Sequence, residues 1–216
     1  MSRRIQGMAK RLVFFGGSFD PVHNGHLIVT RSVVEQCGLA RITLVPAGTP
    51  PHKAPPVASA KDRLAMLRAA VRGKPVFDIC DVELRRTGPS YTIDTLRELR
   101  LAHGRRVELA WVIGADMLED LHRWRDAEGV LAAARILIAV RPPWDQRIDA
   151  ILAGLRRHLP AAAVRRLARA VVRTPLVEIS SSDIRRRIAA GRAIDFLVPD
   201  PVRAYIYRNG LYGTPS

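Results

Sequence analysis

Gly16-Gly17-Ser18-Phe19-Asp20-Pro21-Val22-His23-Asn24-Gly25-His26-Leu27 is the stretch around which the chain is organised. It follows the apolar run Leu12 to Phe15 and leads into a segment from His26 to Gly38 whose Leu27, Val33 and Val34 fall on one helix face. A strand, a glycine turn and a helix are therefore expected in that order, with Gly38 as the helix stop. Gly16 and Gly17 lack a Cβ, so the backbone can bend sharply there and a ligand can approach closely; Gly25 offers the same freedom between two imidazoles. His23 and His26 fall at a helix N-terminus, where unpaired N–H groups and the positive end of the helix dipole favour an anion. Two histidines at this spacing also suit a metal, but no Cys, His or Glu cluster accompanies them to supply the remaining ligands. A glycine-rich turn with two solvated imidazoles is the third reading.

The 216 residues are enough for one well-buried domain, read as residues 11–216 after a polar extension over 1–10 in which Met8 is an alternative start. Hydrophobic residues at 48% and charged residues at 25% are ordinary for a soluble globular protein. Lys and Arg number 35 against 20 Asp and Glu, a net charge of +15 that suits anionic ligands and also nucleic-acid phosphates. Eight arginines and two aspartates between Arg141 and Arg173 account for +6 of it. Cys37 and Cys80 are the only cysteines and form no Cys-x-x-Cys, which points to a reduced, cytoplasmic protein. The basic residues Arg3, Arg4, Lys10 and Arg11 precede an apolar run too short for a signal peptide, and no stretch approaches the roughly 20 apolar residues of a membrane span.

Downstream, Arg41 to Pro46 reads as a second strand, followed by a proline loop, Ala47 to Lys53, that ends in a cation. Ala60 to Val71 is expected as a helix with Leu64, Met66, Leu67 and Val71 on one face, and Val76 to Leu84 as a third extended segment. A βαβαβ start of this kind implies an α/β fold with a parallel sheet and right-handed crossovers. Gly88 to Thr92 precedes a helix from Ile93 to Ala102, with Ser90 or Thr92 as its cap. Val107 to Ile113 reads as a buried strand ending in Gly114-Ala115-Asp116, at the C-terminal sheet edge where such folds bind ligands. Trp124 lies between Leu121 and Leu131, and the strand Ile136 to Val140 ends at Arg141. Ile148, Ile151, Leu152 and Leu155 make one helix face; Val164, Leu167, Ala168 and Val171 make another, with a break at Pro160. This Arg-rich pair reads as an amphipathic surface element. Leu176 to Ile179 is expected as the last strand, running into Ser180-Ser181-Ser182-Asp183-Ile184-Arg185. The serines suit either simple capping or a second phosphate site with an Arg one turn in. Val198 to Tyr212 ends the pattern as a short packing helix and tail.

The opening Gly-Gly-Ser-Phe-Asp-Pro-Val-His-Asn-Gly-His and the late Ile-Ser-Ser-Ser-Asp-Ile-Arg bracket Pro50-Pro51-His52-Lys53, Ser90-Tyr91-Thr92, Ile113 to Asp116, Trp124 and Arg141-Pro142. In order and spacing, from Lys10 to Tyr212, this set resembles the bacterial nicotinate-nucleotide adenylyltransferases of the nucleotidylyltransferase superfamily. The resemblance implies a Rossmann-like parallel sheet flanked by helices, the nucleotidylyltransferase fold, with a small C-terminal helical region. It further implies transfer of AMP from ATP to nicotinate mononucleotide in NAD biosynthesis, giving nicotinate adenine dinucleotide and pyrophosphate. By the same resemblance Gly16, Gly17, Ser18, Phe19, His23 and His26 hold the ATP triphosphate, with Ser181, Ser182 and Arg185 gripping it from the far side. Lys53 assists with phosphate; Ser90, Tyr91, Thr92 and Trp124 form the nicotinate pocket; Asp116 and Arg141 meet the mononucleotide ribose and phosphate. His23, His26, Lys53 and Arg185 are the implied catalytic set.

The attacking group in such a reaction is already a phosphate oxygen, so the site needs no protein nucleophile. It must align two polyanions and neutralise growing charge. Mg²⁺ is expected to arrive on the ATP, held by phosphate oxygens and water and not by a protein cage. Relatives often have an aromatic residue after the tryptophan, where this chain has Arg125; an inward Arg125 would favour an acidic pyridine ring. Two rival readings remain: a pantetheine-phosphate adenylyltransferase, which usually lacks the Ser-Tyr-Thr and Trp elements, and a nucleic-acid-binding protein using the Arg141 to Arg173 segment. Nucleic acid is the less expected partner. No membrane partner is expected, and self-association stays open.

Overall fold

Near-continuous apolar runs make strands that must be covered on both faces, and parallel pairing satisfies that requirement. In the computed structural model, which describes residues 11–51 and 54–213, six such strands form one sheet. They are β1 (Arg11–Gly17), β2 (Ile42–Pro46), β3 (Phe77–Ile79), β4 (Glu108–Gly114), β5 (Arg135–Val140) and β6 (Val171–Arg173). All neighbours are parallel, in the order β3-β2-β1-β4-β5-β6. The chain winds outward from β1 to β3, then crosses back and winds the other way from β4 to β6. The reversal lies between β1 and β4, paired from Arg11↔Glu108 to Phe15↔Val112. Loops leaving two such strands diverge, and the crevice between them is where open α/β sheets take their ligands.

Nine helices flank the described strands: α1 (Asn24–Gln36), α2 (Ala60–Val71), α3 (Thr92–His103), α4 (Ala115–Leu118), α5 (Ala127–Ala133), α6 (Ile148–Leu155), α7 (Ala161–Ala168), α8 (Ser181–Ala189) and α9 (Asp200–Arg208). Alternate strand residues feed two cores. On one face Val13, Leu44, Ala110 and Val112 meet Val33, Met66, Ile184 and Ile206 from α1, α2, α8 and α9. On the other, Phe14, Leu109, Trp111 and Ile113 meet Leu96, Val130, Leu152 and Leu167 from α3, α5, α6 and α7. Each fully buried side chain of this kind contributes about 1.5–3 kcal/mol relative to exposure.

The extension over residues 1–10 lies outside the described residues. Elsewhere the expected elements form, with four corrections. β3 stops at Ile79, and Val82–Arg85 turns into a 3-10 helix that carries Glu83 inside, where it accepts the Thr95 hydroxyl at 2.7 Å. The expected last strand over 176–179 is irregular, and the edge strand is β6, whose Val171 was expected on a helix. The unpaired edge of β5 selects those residues: Ile138 N–H donates to Ala170 O at 2.9 Å and Thr174 N–H to Val140 O at 2.7 Å. The buried face of α2 is Arg63, Met66, Leu67 and Ala70, rotated from the expected one by the inward Arg63. Finally, α3 has neither Ser90 nor Thr92 as its cap; Tyr91 precedes it without a side-chain cap, and Ser90 Oγ instead accepts the Gly48 N–H at 3.1 Å.

Candidate active site

β1 hands the chain to a turn in which Phe19 takes φ 49° and buries its ring. His23 then caps α1: its Nδ1 accepts the His26 N–H at 3.3 Å, and His26 Nδ1 accepts the His23 N–H at 3.3 Å. This reciprocal capping box stacks the two imidazoles with centroids 3.7 Å apart and planes at 27°. Phe19 meets His26 edge-on at 5.0 Å. Accepting at Nδ1 leaves the hydrogen of each neutral ring on Nε2. Burial, then the Arg141 charge, lowers the His23 pKa to about 4. His23 is therefore a neutral donor at physiological pH. The first turn of α1 carries no acidic residue, so the positive end of its dipole is not offset.

The glycines of the turn serve a different end from the expected bend. Gly16 and Gly17 belong to β1 and neither takes a positive φ. A Cβ on Gly16 would lie 2.6 Å from Trp111 Cζ2, and one on Gly17 would lie 3.2 Å from the Phe19 ring. Both therefore make room for aromatic rings that pack beneath the turn. At Gly25 a Cβ would lie 3.0 Å from His23 Nδ1 and 3.3 Å from Val177 Cγ1, so glycine there lets the 174–180 segment close on the imidazole pair.

The second helix N-terminus, that of α8, is fastened to the same turn. Ser180 caps it by accepting the Asp183 N–H at 3.1 Å, and Ser181 Oγ donates to Pro21 O at 2.9 Å. Arg185 donates through Nη1 to Asp20 O at 2.6 Å and through Nη2 to Ser182 Oγ at 3.3 Å. Beneath lies the Asp20 carboxylate, 3% exposed. Oδ1 accepts from Ala58 N–H at 3.0 Å and Tyr212 OH at 2.8 Å, and Oδ2 from Val57 N–H at 2.8 Å, with Arg185 Nη1 at 3.5 Å. Burial and Asp20 push the Tyr212 hydroxyl well above its ordinary pKa. Arg63, 2% exposed, donates to Ser18 O at 2.7 Å, Ala47 O at 2.6 Å and Gly48 O at 3.3 Å; burial pulls its pKa down and Asp20 opposes. One buried charged network thus joins the turn, the 57–58 segment, α2, α8 and the C-terminal segment.

Across the switch point, Asp116 sits in the first turn of α4 with Oδ1 2.2 Å from where a Gly114 Cβ would be, so its carboxylate folds back over the end of β4 only because residue 114 is glycine. The uncapped N-terminus of α3 begins at Thr92, beside Ser90 and Tyr91. Trp124 N–H donates to Leu121 O at 3.2 Å. The Arg125 guanidinium lies 4.6 Å over the Tyr91 ring and 3.9 Å from Asp94 Oδ2, bridging two walls. Arg141, at the end of β5, donates to Val177 O at 2.6 Å. Gly16, Gly17, Ser18, Phe19, His23, His26, Ser90, Tyr91, Thr92, Asp116, Trp124, Arg125, Arg141, Ser181, Ser182 and Arg185 all line one cavity of about 710 Å³. Lys53 lies outside the described residues.

Residue-by-residue reading missed Asp20, Arg63, Glu83 and Trp111. Arg63 carried a signal, since it occupies the core-facing position of the series 63, 66, 67, 70 on α2. Asp20 sat inside the quoted motif, yet its four donors come from residues 37 to 192 positions away. Burial raises the pKa of Glu83, which lines the cavity next to Ser90, and nothing local marks it.

Residues 14–187 match the model of the cytidylyltransferase-like family. A probable nicotinate-nucleotide adenylyltransferase of Thermomicrobium roseum is 43% identical over 205 residues, covering 94% of this chain and 92% of that protein. One of Serratia proteamaculans is 40% identical over 205 residues, covering 92% and 93%. Among solved structures, Plasmodium falciparum nicotinic acid mononucleotide adenylyltransferase complexed with NaAD superposes with a TM-score of 0.72 at 17% identity, over 95% of this chain and 98% of that one, a likeness of fold. With two helix N-termini facing one crevice at the sheet reversal and relatives aligned over nearly the whole length, the chain belongs to the nicotinate-nucleotide adenylyltransferase family.

Proposed function

We propose that the chain transfers AMP from ATP to nicotinate mononucleotide, forming nicotinate adenine dinucleotide and pyrophosphate, a step of NAD biosynthesis in the cytoplasm. Among the described residues no helix is long and apolar enough to cross a membrane. The observation that carries the reading is the stacked His23–His26 pair at the N-terminus of α1, joined through Asp20 to Arg185 on α8, within one cavity that also reaches Ser90, Thr92 and Trp124.

An oxygen of the mononucleotide phosphate attacks the α-phosphorus of ATP; a P–O bond forms, and the bond to the bridging oxygen of the β-phosphate breaks as pyrophosphate leaves. The nucleophile is ionised at neutral pH, so the residues bind, align and neutralise. His23 and His26 donate through Nε2–H to the triphosphate, with the backbone of Gly16 to Phe19 beneath it. Ser181, Ser182 and Arg185 take the β- and γ-phosphates, and Lys53 adds a cation. Held rigidly before reaction, such donors need little reorganisation as charge moves to the leaving group. Asp116 meets the ribose, and Arg141 the acceptor phosphate. Ser90, Tyr91, Thr92, Trp124 and Arg125 hold the pyridine ring, where the open N–H groups of α3 and the Arg125 charge favour a carboxylate over a carboxamide. Among the described residues no group of three His, Cys, Asp or Glu converges as a metal site, a donor set that suits Mg²⁺ carried on phosphate and water oxygens. Bound that way, it neutralises phosphate charge.

Pyrophosphate release from Mg-ATP, measured in parallel with nicotinate mononucleotide, nicotinamide mononucleotide and phosphopantetheine, tests the reading. Strong turnover with the first alone is expected. Equal turnover with both mononucleotides would discard the carboxylate argument, and turnover with phosphopantetheine would discard the assigned acceptor.

A further inference from the structure

We infer that the sheet edge opposite the nucleotide cavity is a docking surface for nucleic acid, engaged through its phosphodiester backbone. All six strands are parallel, so every strand enters at one edge and the cavity occupies the other. The segments that enter the strands are arginine-rich: Arg72 before β3, Arg105 and Arg106 before β4, Arg135 at the start of β5, and Arg169 before β6. Arg165 of α7 lies one helical turn before Arg169, the residue that caps the helix C-terminus. All six are exposed, and none has a carboxylate within ion-pair distance among the described residues. Where acids do occur at this edge they are matched, Glu108 with Arg11 and Asp78 with Arg41.

The strand order turns these scattered residues into a row. From β3 to β6 the sheet has five spacings of about 4.8 Å, so the row is about 24 Å long. A duplex carries one negative charge per about 1.7 Å of axis. Charge of one sign spread along a line of this length suits such a polyanion better than a compact ligand. The cations are arginines, whose planar fork takes phosphate oxygens in pairs. A lipid surface is the poorer match, because interfacial binding needs apolar anchors. Among the described residues, the one large exposed apolar side chain that adjoins these segments is Leu101, in the last turn of α3.

The test uses the whole chain and fluorescence anisotropy with a labelled DNA duplex and an RNA duplex of the same sequence. Binding without sequence preference is expected, falling with salt at a logarithmic slope of about −0.9 for each phosphate contacted. The combined variant Arg105→Gln, Arg106→Gln, Arg135→Gln, Arg169→Gln should bind about tenfold or more weakly with a shallower slope, while pyrophosphate release is unchanged. A control, Arg123→Gln, Arg147→Gln, Arg203→Gln, Arg208→Gln, removes the same charge elsewhere and should retain binding. Equal binding by the edge variant and the parent overturns the inference. So does equal weakening by the control, which would make total charge the cause. Binding to vesicles of phosphatidylglycerol and phosphatidylcholine but to neither duplex would also overturn it.

Discussion

Arginines crowd both edges of the sheet, but they are held differently. At the cavity edge Arg63, Arg141 and Arg185 each donate to backbone carbonyls, and two of them lie beside the buried Asp20. At the opposite edge Arg72, Arg105, Arg135 and Arg169 are exposed and have no acidic partner among the described residues. A cation fixed by several acceptors is oriented before a ligand arrives, at a desolvation penalty that the surrounding fold must offset. An exposed one stays hydrated, adds little to stability and acts on partners by charge alone. The first arrangement suits a reaction and the second suits docking.

That contrast breaks most readily at Asp20. Asp20→Ala strands two N–H groups, the Tyr212 hydroxyl and the nearby arginine charges, and should cost about 3–5 kcal/mol of stability in urea unfolding. A loss below about 1 kcal/mol would mean that the buried network does not hold the cavity edge.

Next in size is the imidazole to which the proposed reaction assigns the triphosphate. His26→Ala should lower kcat on the order of 10²–10³ while the circular dichroism of the fold is retained. A folded variant with near-normal kcat would take the ring out of the reaction and leave the helix N-terminus alone with the phosphates.

The smallest of these effects concerns pH. His23 titrates near 4 in the fold and near 6.5 when unfolded, so between those values the unfolded chain binds a proton that the folded chain does not. Its contribution is complete above pH 6.5 and declines below it. From pH 6.5 to 5 the loss is about 2 kcal/mol. His23→Asn keeps a capping acceptor and should flatten that part of the stability curve. An unchanged slope would mean that other groups carry the acid sensitivity.

Much of this was legible in the chain. The opening strand-turn-helix, the α2 boundaries and the paired histidines at a helix N-terminus all rest on spacings within a dozen residues. Apart from Lys53, which lies outside the described residues, the candidate residues from Gly16 to Arg185 line one cavity because the motifs sit at strand ends and helix starts, and a parallel sheet brings those ends to one edge. The reason for Gly16 was not legible, since Trp111 fills the space beside it from a different strand. Nor was the inward turn at Glu83, whose partner Thr95 lies on the next helix.

By itself the sequence determined the alternation of strands and helices, the histidine- and serine-marked helix starts and the surplus of positive charge, because propensity, capping and charge are local quantities. Tertiary structure alone decided which arginines are tied to backbone carbonyls and which stand exposed without an acidic partner among the described residues. It also chose residues 171–173 over 176–179 as the sheet edge and made Asp20 the joint of the cavity. These depend on which unpaired N–H and C=O groups meet across the fold. Arg63 finds its carbonyls 15 to 45 positions away, and no local spacing encodes that meeting.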